Sequence, residues 1–301
     1  MSKKHQGKTA VISGAASGIG QASAVRLAEE GAQIVIADRA KADDTLQRIE
    51  AAGGSATAIQ CDISDPASVA KLKAEVEKGG GRCDILINNA GIYPMQSFDD
   101  ITFEDWRRVI SVNLDSMFLT AKAFAGGMRQ RGWGRIINLA SDTVNLLVPD
   151  FVHYITSKAG VIGFTRSLAT ELGPQGVTVN AIAPGLTRTP GTLARKEAGG
   201  MSNEALFDMI LNMQSIKRSE QATDLVGAVS FLASEDAGFI TGQTSTSTAG
   251  SHARPKTNRS SRRAAGRRWP AITTKDKSKS RLRDLPLCHF SLLCDRSVTL
   301  T

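Results

Sequence analysis

The sequence predicts a three-layer α/β fold, in which one parallel sheet is covered by helices on both faces. Apolar runs of strand length alternate with helix-length amphipathic stretches over most of the chain. This alternation requires right-handed crossovers between parallel strands. A glycine-rich turn, Ser-Gly-Ala-Ala-Ser-Gly-Ile-Gly at residues 13–20, separates the first strand from the first helix. Together these features predict a Rossmann-type, doubly wound sheet that binds ligands at the carboxyl ends of its strands.

The elements follow in order from this alternation. We predict strands at residues 9–13, 33–38, 56–60, 85–88, 135–139 and 177–183. Helices are predicted at residues 18–30, 42–52, 66–78, 103–131 and 154–172. Residues 1–244 are therefore expected to form a single domain.

The segment from 185 to 220 interrupts this rhythm. It contains glycines at its start and middle, followed by a set of apolar residues that includes Leu206, Phe207 and Ile210. Because the segment follows the carboxyl end of a strand, we interpret residues 186–213 as a lid over a pocket. A plain pair of surface helices is the alternative.

The net charge of +8 is unevenly distributed. Residues 1–243 contain 24 Lys and Arg against 26 Asp and Glu, whereas residues 244–301 contain 13 against 3. The first 243 residues thus give no electrostatic reason to expect nucleic acid or an anionic membrane. The four cysteines lack metal-ligand spacing, and neither a signal peptide nor a membrane span is recognisable. We expect a cytoplasmic protein without a metal.

The glycine turn predicts a dinucleotide site. Gly14 permits the turn, while Gly18 and Gly20 let backbone amides and the helix N-terminus approach a pyrophosphate. Asp38 ends the second strand, where a carboxylate accepts both ribose hydroxyls of NAD and repels the 2′-phosphate of NADP. Arg39 could attract that phosphate, but Asp38 is expected to prevail. The alternatives are a purely structural turn and an N-cap role for Asp38.

Residues 154–158, Tyr-Ile-Thr-Ser-Lys, predict the chemistry. Tyr154 and Lys158 are four residues apart and share one face of a helix. A neighbouring cation favours the phenolate, so Lys158 is expected to lower the pKa of Tyr154 from its usual value of about 10. A base of this kind beside a bound nicotinamide indicates hydride transfer to or from an alcohol carbon.

These motifs resemble the short-chain dehydrogenase/reductase family, and the resemblance covers residues 8–244. The glycine motif has Ser13 where the family usually has threonine, and Asn-Asn-Ala-Gly stands at residues 88–91. The resemblance implies four catalytic residues, which are Asn113, Ser141, Tyr154 and Lys158. It implies NAD binding by Gly14, Ser17, Gly18, Ile19, Gly20, Asp38, Arg39, Asp62, Ile63, Asn89, Ala90, Gly91, Tyr154, Lys158, Pro184, Gly185, Thr187 and Thr189.

The resemblance also implies roles. Tyr154 acts as general acid and base, Lys158 holds its charge and the nicotinamide ribose, and Ser141 binds the substrate oxygen. Asn113 holds a water that links Lys158 to solvent. The backbone of Thr187 and the hydroxyl of Thr189 orient the carboxamide. For Asn113 and Ser141 alone, a helix kink and a strand-end cap are the alternatives.

Several stretches resemble aryl secondary-alcohol dehydrogenases of the 1-phenylethanol type, among them residues 81–86, 91–94 and 132–138. We therefore expect a hydrophobic alcohol or ketone as the substrate. The predicted pocket residues are Ser141, Tyr93, Val144, Leu146, Phe151 and Met201, together with Met95 and Leu147. Asp142 and Asn145 could contact a polar substituent. His153 is expected to be a helix N-terminal or surface residue.

The end of the chain departs from the family pattern. Members commonly continue with Leu-Asn-Val-Asp-Gly-Gly, whereas residues 245–250 read Ser-Thr-Ser-Thr-Ala-Gly. Written as CTC AAC GTC GAC GGC GG, the usual peptide becomes the observed one when the first base is lost. We infer a one-base frameshift after Thr244. Residues 245–301 are then expected to be an aberrant, basic and disordered tail, with a frayed last strand that weakens the tetramer common in the family.

Three functions are compared. The first is an NAD-dependent oxidoreductase that interconverts a secondary alcohol and a ketone. An NADP-dependent 3-oxoacyl-acyl-carrier-protein-type reductase is the nearest competitor. A protein that senses NAD without turnover and a nucleic-acid binder with a basic tail belong to other classes; four intact catalytic positions favour the enzyme.

Overall fold

Seven parallel strands form the centre of the molecule in the computed structural model, which describes residues 3–146, 148–194 and 202–247. In chain order, the strands of this sheet are β1 Thr9–Ser13, β2 Gln33–Asp38, β3 Ser55–Gln60, β4 Ile85–Asn88, β5 Gly134–Leu139, β6 Val177–Pro184 and, after two short strands outside the sheet, β9 Thr244–Ser247. Their spatial order is β3-β2-β1-β4-β5-β6-β9. The predicted doubly wound fold is confirmed, and the order reverses between β1 and β4, where such folds bind nucleotides.

Helices cover both faces of this sheet. They are α1 Gly18–Glu29, α2 Asp43–Ala51, α3 Pro66–Glu77, α4 Phe103–Ile110, α5 Ser116–Arg131, α6 Val152–Leu172, α7 Pro190–Leu193, α8 Asn203–Met213 and α9 Ala222–Leu232. Among the described residues, no helix is both long enough and apolar enough to cross a bilayer.

Alternation along the strands produces two cores, one on each face. On β1, Ile12 packs with Leu27 of α1 and Val229 of α9. Its neighbour Val11 points to the other face and joins a cluster with Leu72 of α3 and Phe124 of α5. Successive side chains of a strand point to opposite faces, so a strand between two helical layers must be apolar throughout.

The stretch predicted as one helix over 103–131 is interrupted. Between α4 and α5 lies a π-helical turn, Ser111–Asp115, whose buried residue is Asn113. Such turns insert one extra residue into an α-helix and are frequent at functional sites. Hydrophobic periodicity does not reveal a single inserted residue, which is why the sequence predicted continuous helix.

Two short strands form a second sheet that the sequence did not predict. They are β7 Thr187–Arg188 and β8 Glu220–Gln221, paired in parallel with Thr187 opposite Glu220. The segment interpreted as a lid contains β7, α7 and α8, and its residues 195–201 lie outside the described part of the chain. The second sheet anchors the first residues of that segment.

The last strand, which we expected to fray, is paired over four residues. β9 lies parallel to β6, from Ala181 opposite Thr244 to Pro184 opposite Ser247. Main-chain bonds extend the pairing at both ends, because Ala181 donates to Gln243 at 2.8 Å and Gly185 donates to Ser247 at 2.9 Å. Such bonds require no apolar side chain, so the polar sequence still forms a strand. The remaining tail, 248–301, lies outside the described residues.

Candidate active site

The glycine turn is packed so closely that it excludes side chains. Gly14 has φ +65°, and a Cβ there would lie 2.7 Å from Cα of Ala90. A Cβ on Gly20 would lie 2.3 Å from the carbonyl oxygen of Gly14 and 2.5 Å from Nδ2 of Asn89. Ser17 precedes α1 without capping it through its side chain. First-turn amides that no side chain caps, beside a loop of glycine, alanine and serine, fit the pyrophosphate of a dinucleotide.

Ser13 and Asn89 tie this turn to the end of β4. The hydroxyl of Ser13 accepts the N–H groups of Asn89 at 3.0 Å and Ala90 at 3.2 Å. In return, Nδ2 of Asn89 donates to the carbonyls of Ser13 at 3.0 Å and Gly14 at 2.8 Å. Serine thus supplies the hydroxyl acceptor at the position where the family usually has threonine.

Asp38 lies beside the turn, as the sequence predicted. Its Oδ2 accepts the N–H of Ala16 and its Oδ1 that of Ala40, both at 2.9 Å. The residue preceding α2 is Ala42, so Asp38 is not the N-cap of that helix. Arg39 is exposed, and its Nη1 lies 4.0 Å from Oδ2 of Asp62.

Asp62 follows β3 on the adenine side of the predicted site. Its carboxylate accepts the hydroxyl of Ser64 at 2.6 Å and the Ser64 N–H at 2.9 Å. The bond from the Ser64 side chain is the main reason that the pKa of Asp62 is lowered. The next residue, Ile63, is buried in the core. An ionised carboxylate with a free edge is suited to accept bonds from an adenine amino group.

The loop after β6 approaches the glycine turn from the other side. Pro184 and Gly185 lead into Thr187, whose carbonyl accepts the hydroxyl of Thr192 at 2.8 Å. Thr189 caps α7, and a Cβ on Gly18 would touch its side chain at 3.4 Å. These predicted cofactor residues therefore meet at one edge of the sheet.

Asn113 is held in the π-helical turn by three hydrogen bonds. Its Oδ1 accepts the N–H of Ile92 at 2.8 Å, and its Nδ2 donates to the carbonyl of Ile92 at 2.8 Å and to the hydroxyl of Ser157 at 3.0 Å. A Cβ on Gly91 would lie 3.2 Å from Oδ1 of Asn113 and 3.6 Å from Nζ of Lys158. Asn113 thus fixes the loop beside Lys158, and Ser157 is a partner that the sequence analysis missed inside the Tyr-Ile-Thr-Ser-Lys motif.

Ser141 and Tyr154 meet at the end of β5. Ser141 lies where a short 3-10 turn, Asp142–Asn145, begins, and its Oγ accepts the hydroxyl of Thr143 at 2.9 Å. Ser141 also hydrogen-bonds the Tyr154 side chain, an interaction that favours the phenolate. The Tyr154 ring packs edge-on against Phe151, with centroids 5.2 Å apart, and against Tyr93, with centroids 6.3 Å apart.

Burial, rather than any neighbouring charge, is the main cause of the pKa shifts of Tyr154 and Lys158. It raises the pKa of Tyr154 to about 12 and lowers the pKa of Lys158 to about 8. The pKa of Tyr154 is therefore raised, and the prediction from the spacing of the two residues, that Lys158 lowers it, is wrong. Nζ of Lys158 donates to the carbonyl of Leu139 at 2.6 Å and lies 6.0 Å from the Tyr154 ring centroid. At that distance the cation does not offset removal of the phenolate from water.

A cleft of about 360 Å³ adjoins this group. Its lining residues are Gly91, Ile92, Tyr93, Pro94, Arg108 and Gly191. A Cβ on Gly191 would lie 2.1 Å from the Tyr93 hydroxyl, so α7 packs directly on that tyrosine. Arg108 and Gly191 were not predicted, because they belong to segments far from the motifs in sequence.

The other predicted substrate residues have mixed outcomes. Val144 and Leu146 are half-buried beside the 3-10 turn, whereas Leu147 and Met201 lie outside the described residues. Nδ2 of Asn145 donates to Oδ1 of Asp142 at 2.9 Å, so these two polar groups bond to each other. His153 is not at the surface but fully buried, and its Nδ1 accepts the N–H of Tyr154 at 3.0 Å. Burial lowers the pKa of His153.

The part of the chain that the structure describes contains no group of His, Cys, Asp and Glu residues that could hold a metal ion.

Comparison with known proteins agrees with this geometry. Residues 14–252 match the short-chain family model described as enoyl-(acyl carrier protein) reductase. The chain is 38% identical over 241 residues to a 3-oxoacyl-[acyl-carrier-protein] reductase of Staphylococcus aureus, covering 79% of this chain and 95% of that protein. It is 37% identical over 242 residues to the (2S)-[(R)-hydroxy(phenyl)methyl]succinyl-CoA dehydrogenase subunit of Thauera aromatica, covering 79% and 94%.

A solved structure is also similar. It is a candidate NAD(P) dependent gluconate 5-dehydrogenase from Beutenbergia cavernae with bound NADP at low occupancy, 32% identical, with a TM-score of 0.75 over 83% of this chain and 98% of that one. The chain therefore belongs to the short-chain dehydrogenase/reductase family of NAD(P)-dependent oxidoreductases.

Proposed function

We propose that this protein interconverts a hydrophobic secondary alcohol, aryl alcohols included, and its ketone, with NAD as the preferred cofactor. The observation that carries the proposal is the contact of Ser141 with the Tyr154 side chain at the end of β5, with Lys158 on the same face of α6 as Tyr154. A hydroxyl donor and a phenol directed at one point can bind one alcohol or carbonyl oxygen.

In the proposed mechanism, the glycine turn and the loop after β6 would hold the dinucleotide, whose nicotinamide would accept or donate the hydride. Ser141 hydrogen-bonds the substrate oxygen. Tyr154 then gives its proton to that oxygen in reduction and removes the proton in oxidation. Its raised pKa keeps the phenol protonated at neutral pH, which is the form that reduction requires.

Lys158 and Asn113 complete the proposed proton path. The ammonium group of Lys158 would stabilise the phenolate that forms when Tyr154 gives up its proton. Its lowered pKa, about 8, lies close enough to neutral pH for it to pass a proton onward. Asn113 lies near Lys158, with Gly91 close to both side chains. It would hold a water molecule through which the proton passes to solvent.

The preference for NAD is inferred from Asp38. Its carboxylate is fixed beside the glycine turn by two backbone amides, and each oxygen retains a lone pair for a ribose hydroxyl. The 2′-phosphate of NADP would be repelled by this negative charge. Arg39 is exposed and lies near Asp62, so it offers little compensation.

The substrate class is inferred from the walls of the site. Tyr93, Phe151 and Pro94 present apolar surfaces next to Tyr154. The relative from Thauera aromatica is named for a substrate whose hydroxyl-bearing carbon carries a phenyl group. Both observations favour a hydrophobic alcohol over a sugar.

The second candidate is an NADP-dependent 3-oxoacyl-acyl-carrier-protein-type reductase. The similarity to the Staphylococcus aureus reductase favours it, as does Arg108, an exposed cation at the wall of the cleft. A screen of aryl and alkyl secondary alcohols with NAD, against 3-oxoacyl thioesters with NADPH, separates the two.

Turnover itself is tested with Tyr154→Phe, which removes the proton carrier but keeps the ring contacts with Tyr93 and Phe151. We expect kcat to fall by about three orders of magnitude or more, while the Kd of NADH changes little. A variant with most of the original activity would contradict the mechanism. A wild-type chain that binds NADH without oxidising any alcohol would instead support a sensor.

A further inference from the structure

Glu220 is a buried carboxylate at the cofactor edge of the sheet, and the catalytic scheme does not use it. It begins β8 and is 8% exposed. Its Oε2 accepts the hydroxyl of Thr187 at 2.7 Å, and its Oε1 accepts the hydroxyl of Ser247 at 3.1 Å. The N–H of Gly185, which donates to the carbonyl of Ser247, also lies close to this carboxylate. The Glu220 carboxylate therefore lies next to polar groups of three segments, which are the loop after β6, β7 and β9.

Thr187 is fixed from two sides as a result. Its hydroxyl is held by Glu220, while its carbonyl accepts the hydroxyl of Thr192 from α7. Pairing of β7 with β8 places Thr187 directly opposite Glu220. The main chain at this point has little freedom left, although it belongs to a connection between strands.

The charges around Glu220 do not account for its burial. Arg218, its nearest cation along the chain, forms a bidentate pair with Asp224, with Nη2 at 2.7 Å from Oδ1. Arg188, next to Thr187, pairs with Glu204 of α8. Burial raises the pKa of Glu220, and the hydrogen bonds from Thr187 and Ser247 oppose that rise. A carboxylate kept out of water, whose neighbouring arginines pair with other acids, is stabilised mainly by the hydroxyls of Thr187 and Ser247.

We propose that Glu220 is a positioning residue that presents the main chain of Gly185 and Thr187 to the nicotinamide carboxamide. This inference rests on the proposed function in one respect, since it assumes a nicotinamide cofactor at this edge. Ser247 extends the arrangement to the last strand, so the polar C-terminal sequence contributes a hydroxyl where the usual valine would offer none.

Glutamine is the informative substitution, because it keeps the size of the side chain. The carboxylate offers the two hydroxyls a charged acceptor each, whereas a glutamine amide is neutral and turns its NH₂ group toward one of them. Glu220→Gln is therefore expected to loosen the Thr187 loop without leaving a cavity. Glu235→Gln is a surface control, because Glu235 is exposed and pairs with Arg135 at the opposite end of the strands from the cofactor residues.

The experiment measures the Kd of NADH and of NADPH by fluorescence titration at pH 7.5, with melting temperatures for each variant. Glu220→Gln is expected to raise the Kd of the preferred cofactor about tenfold, while Glu235→Gln changes it less than twofold. The KM for NAD should rise in parallel, with the KM for the alcohol unchanged. A lower melting temperature with an unchanged Kd would overturn the proposal, because it would show a purely structural role.

Thr187→Val provides the second variant. It removes the hydroxyl bonded to Glu220 and keeps the main chain that would contact the carboxamide. In a double-mutant cycle, the Kd of the double variant should equal that of Glu220→Gln alone within about twofold; additive effects would contradict the assigned pairing. If the wild type binds neither cofactor, the proposed function fails; if it binds well and Glu220→Gln binds equally well, only this inference fails.

Discussion

Gly20 and Gly163 allow the same substitution to be tested in two helices with opposite expected results. Neither glycine has a positive φ, so both backbones accept alanine. At Gly163, in α6, a Cβ would meet nothing within 4 Å and the site is exposed. Gly163→Ala should therefore stabilise the protein by about 0.5–1 kcal/mol, the difference in helix propensity.

At Gly20 the same gain in helix propensity is outweighed by steric contacts of the added methyl group. The new methyl would lie 2.3 Å from the Gly14 carbonyl and 2.5 Å from Nδ2 of Asn89, so one of them must move. Overpacking of this kind costs about 1–3 kcal/mol. Asn89 donates two hydrogen bonds to the turn, each contributing about 0.5–1.5 kcal/mol. After subtraction of the helical gain, we expect a net loss of about 1–5 kcal/mol.

Urea unfolding followed by circular dichroism gives both free energies, and NADH titration gives the Kd. Gly20→Ala should lower the midpoint and raise the Kd of NADH, whereas Gly163→Ala should raise the midpoint and leave the Kd unchanged. The reasoning is refuted if Gly20→Ala gains stability as Gly163→Ala does and still binds NADH normally.

Asp38→Ala should raise the Kd of NADH about tenfold and relieve the exclusion of NADPH; a wild type with higher kcat/KM for NADP than for NAD would contradict this. Lys158→Met should be inactive but more stable at pH 7, by up to about 3 kcal/mol for a pKa lowered from 10.5 to about 8. A lowered lysine pKa destabilises the fold most below pH 8, so this advantage should shrink between pH 8 and 10.5 in urea titrations. Restoring Leu-Asn-Val-Asp-Gly-Gly at 245–250 should raise the melting temperature and the tetramer fraction in sedimentation; equal values, or a tail that resists proteolysis, would contradict the frameshift interpretation.

The exposure of the last strand indicates which property a restored C-terminus should change most. Ser245 and Thr246 are exposed in the single chain, although their main chains pair with β6. Restoration places leucine at 245 and asparagine at 246. The leucine would gain most if a neighbouring subunit covered it, at about 1.5–3 kcal/mol for a fully buried side chain. The effect of restoration should therefore be larger on assembly than on the unfolding of a separated subunit.

Local sequence determined the fold class and the first six strands of the main sheet. Strand and helix periods are properties of neighbouring residues, so the alternation predicted the parallel sheet. The Tyr154–Lys158 spacing determines a shared helix face, and Gly14, Gly18 and Gly20 encode a close backbone approach within one turn. These features depend on residues that are near one another in the chain.

Only the tertiary structure decided the pKa values and the hydrogen-bond partners of the site residues. The pKa of Tyr154 moved opposite to the sequence expectation, because burial depends on how completely distant segments exclude water and not on the spacing of two side chains. Lys158 donates to the carbonyl of Leu139, nineteen residues away, and the hydroxyl of Thr187 donates to Glu220, thirty-three residues away. No local pattern encodes either pair, since the first joins helix α6 to the end of β5 and the second joins β7 to β8.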